Sequence, residues 1–354
     1  MRPAPVRQPG PARFCGGGRR ANPVLPAGVS AGSCSVLGLK LGSRRVDVRL
    51  VKVDVCIASY RRPRGLQRLL GGLGQLCVGP DVDLRIVVVD NDPEETAREV
   101  CEAACDWLCH PLVYRTEKRR GIPQARNAAL GVALGRADFV AFIDDDEVPA
   151  PDWLAELLRV QRIYAADAVR GPVLPVFESP APAWLEPFFD RPRYATGQQL
   201  KTAYTHNVLV STRALASLDR LFDERLGLTG ADDSELFQRF AHRGHRIVWA
   251  DEAPVLEFVP RSRLRLGWLL QRAFRVGNGS VFIDRHCRGL APKRWQLVAQ
   301  ACWCIARGTA MQISFVWGGR PAATRGLQLV SFGTGRFAGL AGYRYEEYRR
   351  VHGA

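Results

Sequence analysis

Three short β-branched runs, each breaking off at a chemically rich tip, constrain this chain more than any other feature. Residues 53–59 (VDVCIAS) lead into Ser59 to Arg61, residues 84–89 into Asp90 to Asp92, and residues 139–143 into Asp144 to Asp146. Between them, the Leu-rich stretch 64–76 and the Ala-rich stretch 123–134 have helical spacing, and 94–108 reads as a helix with Pro93, Glu94 and Glu95 at its first turn. Residues 112–115 form one more brief strand. Strands alternating with helices predict an α/β fold: a Rossmann-like, mostly parallel sheet flanked by helices. In such open sheets ligands sit beyond the carboxyl ends of the strands, so the tips are expected to converge.

Beyond Asp152 the pattern is mixed, with Pro-rich loops over 172–192, strands at 208–211 and 246–250, and a helix at 232–242. From Arg261 onward the periodicity is helical and Arg-rich, followed by an ambiguous apolar stretch over 297–317 and a Gly-rich tail. Gln300, Arg307 and Gln312 interrupt that stretch, so it is expected to lie on a membrane rather than cross one.

Composition matters here for where the charge sits. The chain has 354 residues, 47% of them apolar, with 50 Lys or Arg against 35 Asp or Glu, a formal charge of +15. Residues 1–46 hold eight of those cations and no acid, in a Pro/Gly/Arg-rich leader that is expected to be disordered. No zinc-finger spacing or aromatic RNP-like strand accompanies the excess charge, which argues against a nucleic-acid partner. The leader's apolar stretch over 24–41 is broken by Pro26, Gly and Ser, so no secretion signal is expected. Ten cysteines without paired spacing predict reduced thiols in a cytosolic compartment. Cys101, Cys105 and Cys109, four apart with His110 alongside, are read as a buried helix face rather than a metal cluster.

Two acidic constellations carry the chemistry. Asp144, Asp145, Asp146 and Glu147 follow a buried strand, where mutual repulsion raises their pKa values unless a cation joins them. Mg2+ suits such a site because it accepts a few carboxylates together with substrate phosphate oxygens. The second constellation, Asp232, Asp233 and Glu235, opens an amphipathic stretch, where acids also favour a helix N-terminus. Together they provide one acid group for the metal on a leaving diphosphate and another to deprotonate an attacking hydroxyl. A nucleotidyltransferase of similar fold, or a non-catalytic sugar- or nucleotide-binding protein, would use related parts; SYRRP, however, lacks the glycines of a triphosphate-gripping loop.

The motifs VDVCIASYRRP, IVVVDNDP, GIPQARNAAL, FVAFIDDDEVP and TGADDSELFQRFAHRGHRIVWADEA, in this order, resemble the family 2 glycosyltransferases, and among them the succinoglycan-type exopolysaccharide enzymes. The resemblance covers about residues 53–278. It implies a GT-A fold, inverting single displacement, a nucleotide-sugar donor (a UDP-sugar first) and Mg2+ or Mn2+. By residue matching, Asp144 and Asp146 would hold the metal and Asp145 would face the donor sugar or ribose. Ser59 and Tyr60 would line the first nucleotide loop, Asp90 would contact the base, and Arg126 would lie near the nucleotide. Asp233 would be the catalytic base, with Asp232 in support where the family more often has Glu. Beyond these motifs, Arg261, Arg263, Arg265, Arg272 and Arg275 form a dense cationic stretch that is expected to close over the diphosphate, lie on anionic headgroups or form a solvated helix face. The implied acceptor is a saccharide linked to polyprenyl diphosphate, handled at the cytoplasmic face of the membrane by a peripheral protein that meets its anionic surface. The chain then divides into a leader (1–48), a glycosyltransferase domain (49–260, with a nucleotide-binding half 49–150 and an acceptor half 151–260) and a helical basic/apolar C-terminal region (261–354).

Overall fold

The computed structural model describes residues 13–14, 49–286, 292–313 and 315–346. Of the leader, Arg13–Phe14 form a two-residue strand, β1, and the rest of the expectation for 1–48 lies outside the described residues. The first half runs β2 (Val51–Ser59), α1 (Pro63–Leu73), β3 (Val82–Asp90), α2 (Arg98–Ala104), β4 (Leu112–Thr116), α3 (Ile122–Ala133) and β5 (Phe139–Phe142). The second half contains β6 (Glu147–Pro149), α4 (Trp153–Tyr164), β7 (Ala168–Arg170), β8 (Val173–Phe177), β9 (Gln199–Leu200), β10 (Val208–Ser211), α5 (Thr212–Ala216), α6 (Asp232–His242), β11 (Ile247–Trp249) and β12 (Val255–Val259). Three long helices follow: α7 (Leu266–His286), α8 (Arg294–Ile313) and α9 (Phe315–Leu340).

The main sheet has the order β1-β4-β3-β2-β5-β10-β7-β11-β9. Strands β4, β3, β2 and β5 are parallel, as the alternation of strands and helices predicts. Strands β7 and β11 run in the same direction as these four, so the sheet is mostly parallel as expected, and β1, β10 and β9 run against it, β10 between β5 and β7. Between β7 and β10 the chain makes a long excursion through β8 of the small sheet and the edge strand β9, and it comes back along β5 in the opposite direction, which local periodicity does not encode. A smaller sheet, β6-β12-β8, lies beside the acidic tip.

Period-two alternation puts apolar side chains on both faces of the parallel half. Val53, Val55 and Ile57 pack with α1 and α4, while Val87, Val89 and Phe142 pack with α3 and α6. Helix α1 seats Leu66, Leu69, Leu70 and Leu73, all fully buried and spaced three to four apart. Each such leucine contributes roughly 1.5–3 kcal/mol over leaving it in water.

Helix α2 is shorter than the expected 94–108. The Asp90 carboxylate accepts from the backbone N–H of Asp92 and of Ala97 (3.0 and 2.8 Å), and Glu95 adopts φ 55°. These bonds turn the chain after β3, so the helix starts only at Arg98. Cys101 is buried on it, whereas Cys109 lies beyond it and is exposed. Among the described cysteines, Cys56, Cys77, Cys101, Cys109, Cys302 and Cys304 are free, and Cys105 is disulfide-bonded.

The C-terminal helices are joined to the rest through Trp268 and Leu269 of α7, which bury against Leu185, Phe189 and Val259. Helices α7 and α9 meet backbone to backbone. A methyl at Gly277 would lie 2.1 Å from the Phe332 carbonyl oxygen, and one at Gly335 the same distance from that of Phe274. Asn278 clasps the tail, donating to the Gly335 and Tyr343 carbonyls (3.3 and 2.8 Å) and accepting from the Tyr345 N–H (2.9 Å). Among the described residues, no helix is long and apolar enough to cross a membrane. Residues 285–345 contain nine Lys or Arg and no Asp or Glu, more of the charge excess than the leader carries.

Candidate functional site

Strand register brings the tips together. Ser59 pairs with Asp90, Asp90 with Thr116, and Cys56 with Phe142, so β2, β3 and β4 end level and β5 ends just below them. Asp144 to Asp146 then emerge between the start of α1 and the small sheet, fixed by backbone bonds from Glu147 N–H to the Asp144 carbonyl (3.1 Å) and from Phe258 N–H to that of Asp146 (2.9 Å). Helix α1 comes very close. A Cβ on Gly65 would lie 2.5 Å from the Asp145 carbonyl oxygen, so only glycine permits this approach.

Each acid has a different setting. Asp145 is 5% exposed, accepting from the Ser59 hydroxyl (3.0 Å) and from Arg62 Nη1 (2.9 Å). Its burial and neighbouring Asp146 raise its pKa against those donors. Asp146, despite its burial, is held below the ordinary carboxylate value by Arg263 (3.0 Å) and Arg62 (3.1 Å). Asp144 is the most open, with 41% of its side chain exposed. Partial burial and the carboxylates of Asp146, Asp145 and Asp233 push it up to about 6, against the pull of Arg126. Glu147 turns back to accept from the Asp144 N–H (2.9 Å), and burial beside Asp144 pushes it well above its usual value. It therefore acts as a buried support rather than an open carboxylate.

Arg126 joins the two acidic constellations. From α3 it donates to Asp232 Oδ2 (2.8 Å) and approaches Asp144 Oδ1 (3.3 Å), linking the end of β5 to the first turn of α6. Asp232 is 1% exposed, and its other oxygen is buried without a hydrogen-bond partner. Asp233, half-buried beside it, is raised by burial and by Asp232 and lowered by Arg126 and Arg275. The Ser234 N–H holds Asp233 Oδ1 at 2.6 Å.

Of the residues singled out in the sequence, Ser59, Arg126, Asp144, Asp145, Asp146, Asp232 and Asp233 thus meet in one charged network. Tyr60 and Asp90 stand outside it. The Tyr60 ring receives the guanidiniums of Arg61 and Arg120 at 5.4 and 4.9 Å. Asp90 is fully buried and spends its oxygens on the two N–H groups of its own turn and on the Tyr114 hydroxyl (3.1 Å). Arg62 was not anticipated as a site residue, although it lies in the quoted SYRRP; its basic neighbours gave no reason to prefer it. Arg263, from the cationic stretch, spans Asp146 and Glu257.

Among the described residues, no group of three or more His, Cys, Asp or Glu is arranged to hold a metal ion alone. Asp144 and Asp146 are hard oxygen donors in a cluster whose mutual repulsion a divalent cation relieves. They fit an ion that completes its shell with ligand phosphates and water.

The acceptor half is braced by Asn207. Fully buried at φ 54°, it donates to the Pro172 and Ala253 carbonyls (2.8 Å each) and accepts from Trp153 Nε1 (2.7 Å). His206 next to it stacks on Tyr204, their ring centroids 5.2 Å apart. Burial and the surrounding Arg191, Arg170, Arg272 and Arg126 push its pKa well down, leaving the imidazole neutral.

Residues 54–221 match the family described as Glycosyl transferase family 2. The succinoglycan biosynthesis protein ExoM of Rhizobium meliloti (strain 1021) is 35% identical over 257 residues, 72% of this chain and 79% of its own. The glucosyl-dolichyl phosphate glucuronosyltransferase of Haloferax volcanii is 25% identical over 248 residues, 66% of this chain and 77% of its own. The mannosyltransferase PcManGT from Pyrobaculum calidifontis, solved with GDP-Man and Mn2+, shares the fold with a TM-score of 0.55 at 19% identity, over 80% of this chain and 86% of that one.

Proposed function

The chain belongs to the family 2 glycosyltransferases and has their GT-A fold, and from that premise we propose that it transfers a sugar, with inversion, from a nucleotide donor to a hydroxyl of a saccharide carried on a polyprenyl diphosphate. The observation that carries this reading is the joining, through Arg126, of the Asp144 to Asp146 cluster and the Asp232–Asp233 pair in one charged network.

In this reading Asp144 and Asp146 would hold Mg2+ or Mn2+, which when bound neutralises charge on the departing diphosphate. Ser59 and Arg62 orient the Asp145 carboxylate, which faces the donor's ribose or sugar hydroxyls. Arg126 balances the charge between the metal-binding acids and the base. Asp233 takes the proton from the acceptor hydroxyl through Oδ2, the oxygen that Ser234 does not hold. Its raised pKa makes it a stronger base than an exposed aspartate. Removing that proton as the hydroxyl attacks opposite the diphosphate gives inversion in a single displacement. Tyr60 would stack at the mouth of the nucleotide loop, and Asp90 would shape that loop from beneath.

The acceptor assignment draws on the relatives: one is named for succinoglycan biosynthesis, the other for a sugar on dolichyl phosphate. A peripheral position on the cytoplasmic membrane face is supported by Trp295 and Trp303, exposed on α8 (65% and 66%), and by the acid-free basic run around them. UDP-sugars are the first donors to test. Release of UDP, GDP or TDP from a nucleotide-sugar panel, with Mg2+ or Mn2+, is measured for wild type, Asp146→Asn and Asp233→Asn. Metal-dependent release by wild type, lost in Asp146→Asn, supports the reading. Asp233→Asn is expected to keep nucleotide binding and lose roughly 10²–10⁴-fold in turnover. Absence of nucleotide binding by every variant overturns it.

A further inference from the structure

A cavity of about 600 Å³ lies between the 186–191 turn and helices α7, α8 and α9, outside the carboxylate site. Its size is that of a small-ligand pocket. Its lining has two characters. Arg191, Arg272, Arg307 and Arg325 face it with Asp190 as the sole acid, while Leu269, Met311, Leu329 and Phe332 provide a hydrocarbon wall.

The arginines are not consumed by the fold. Arg191 gives Nη2 to Glu257, but its Nη1 is buried without a hydrogen-bond partner. Arg272 rests on the Trp268 ring at 5.3 Å, and burial together with Arg191 and Arg275 lowers its pKa to about 10. Arg307 and Arg325 are exposed at the outer part, Arg325 lying over the Phe188 ring at 5.9 Å. Crowding guanidiniums around one cavity costs electrostatic energy that an anionic occupant recovers. A purely polar anion would leave the apolar wall unused, and a plain hydrocarbon would leave the cations unmatched.

We propose that this cavity binds a phosphate-bearing amphiphile, its phosphates on Arg191 and Arg272 and its hydrocarbon along Leu269, Leu329 and Phe332. The occupant is the lipid-phosphate end of the acceptor, an identification that rests on the glycosyltransferase reading above. Continuity supports it: Arg191 and Arg263 share Glu257, and Arg263 reaches Asp146. One chain of ion pairs therefore runs from the cavity to the acids. The helices lining it are those carrying the exposed tryptophans and the acid-free basic run, so an amphiphile leaving an anionic bilayer meets cations on its way in.

The test is calorimetric titration of the full chain, in EDTA so that the carboxylate site cannot take diphosphate through a metal, with geranyl diphosphate, inorganic diphosphate and geraniol. Geranyl diphosphate is expected to bind at least about tenfold tighter than either half; Arg307→Gln/Arg325→Gln, which removes the two exposed cations of the lining, and Val276→Asp, which puts a carboxylate on the cavity wall, are each expected to weaken it about tenfold. Excess UDP should not displace it, and donor hydrolysis by both variants should match wild type. Equal affinity for inorganic diphosphate, displacement by UDP, or binding unmoved in both variants overturns the site. Loss of all donor turnover in wild type with geranyl diphosphate binding intact overturns the glycosyltransferase reading instead and leaves the amphiphile site standing.

Discussion

Arg126 is the residue on which the site's electrostatics turn, because its single guanidinium serves carboxylates from two distant segments. Without it, Asp232 would remain almost fully buried with no countercharge. Replacing Arg126 with Leu is expected to cost about 3–5 kcal/mol, read as a lower urea midpoint, because breaking a buried pair strands a charge. A drop no larger than that of an exposed arginine control would mean that water or a neighbour compensates. The acids themselves were legible in the sequence, since acids after a buried strand or at a helix start are local signals. The partners of Arg62 and Arg263 were not, because they lie 83 and 117 positions away. Nothing local distinguishes a guanidinium bound for such a partner from one bound for solvent.

Helix α1 is more than a cover for the sheet: its first turn presses on the backbone of the acidic loop at Gly65. In an ordinary exposed helix, Gly→Ala stabilises by up to about 1 kcal/mol. Here the sign should reverse. Gly65→Ala is expected to lose about 1–3 kcal/mol through overpacking and to weaken nucleotide binding with it, as checked by thermal melting and nucleotide titration. A stabilised variant with unchanged binding would show that the helix can retreat without disturbing Asp145. At this scale the periodic elements were readable: α1, α3 and α6 fall where apolar spacing put them. The reading ran out where a side chain overrode periodicity, as Asp90 does at the start of α2, and where the glycines of α7 and α9 turned out to be contact points between helices.

Taken whole, the molecule separates its charge. Residues 285–345 carry nine cations without an acid, while the acidic clusters belong to the sheet that precedes them. Binding to vesicles of anionic lipid should therefore be strong at low salt, fall steeply as ionic strength rises, and weaken when Trp295 and Trp303 are both changed to Ser, as measured by flotation. Equal binding to neutral vesicles would assign the attachment to the apolar face alone. The α/β class and the parallel half were legible because alternation of strand and helix is a repeated local signal. The antiparallel entry of β10 was not, since strand direction depends on the path of a long intervening excursion. The same charge separation makes the protein an electric dipole, and a dipole near a charged plane feels a torque before it feels a contact. At about 0.1 M salt that torque would act only within roughly 10 Å, so near an anionic bilayer the molecule would arrive in random orientation and turn basic side down over the last nanometre.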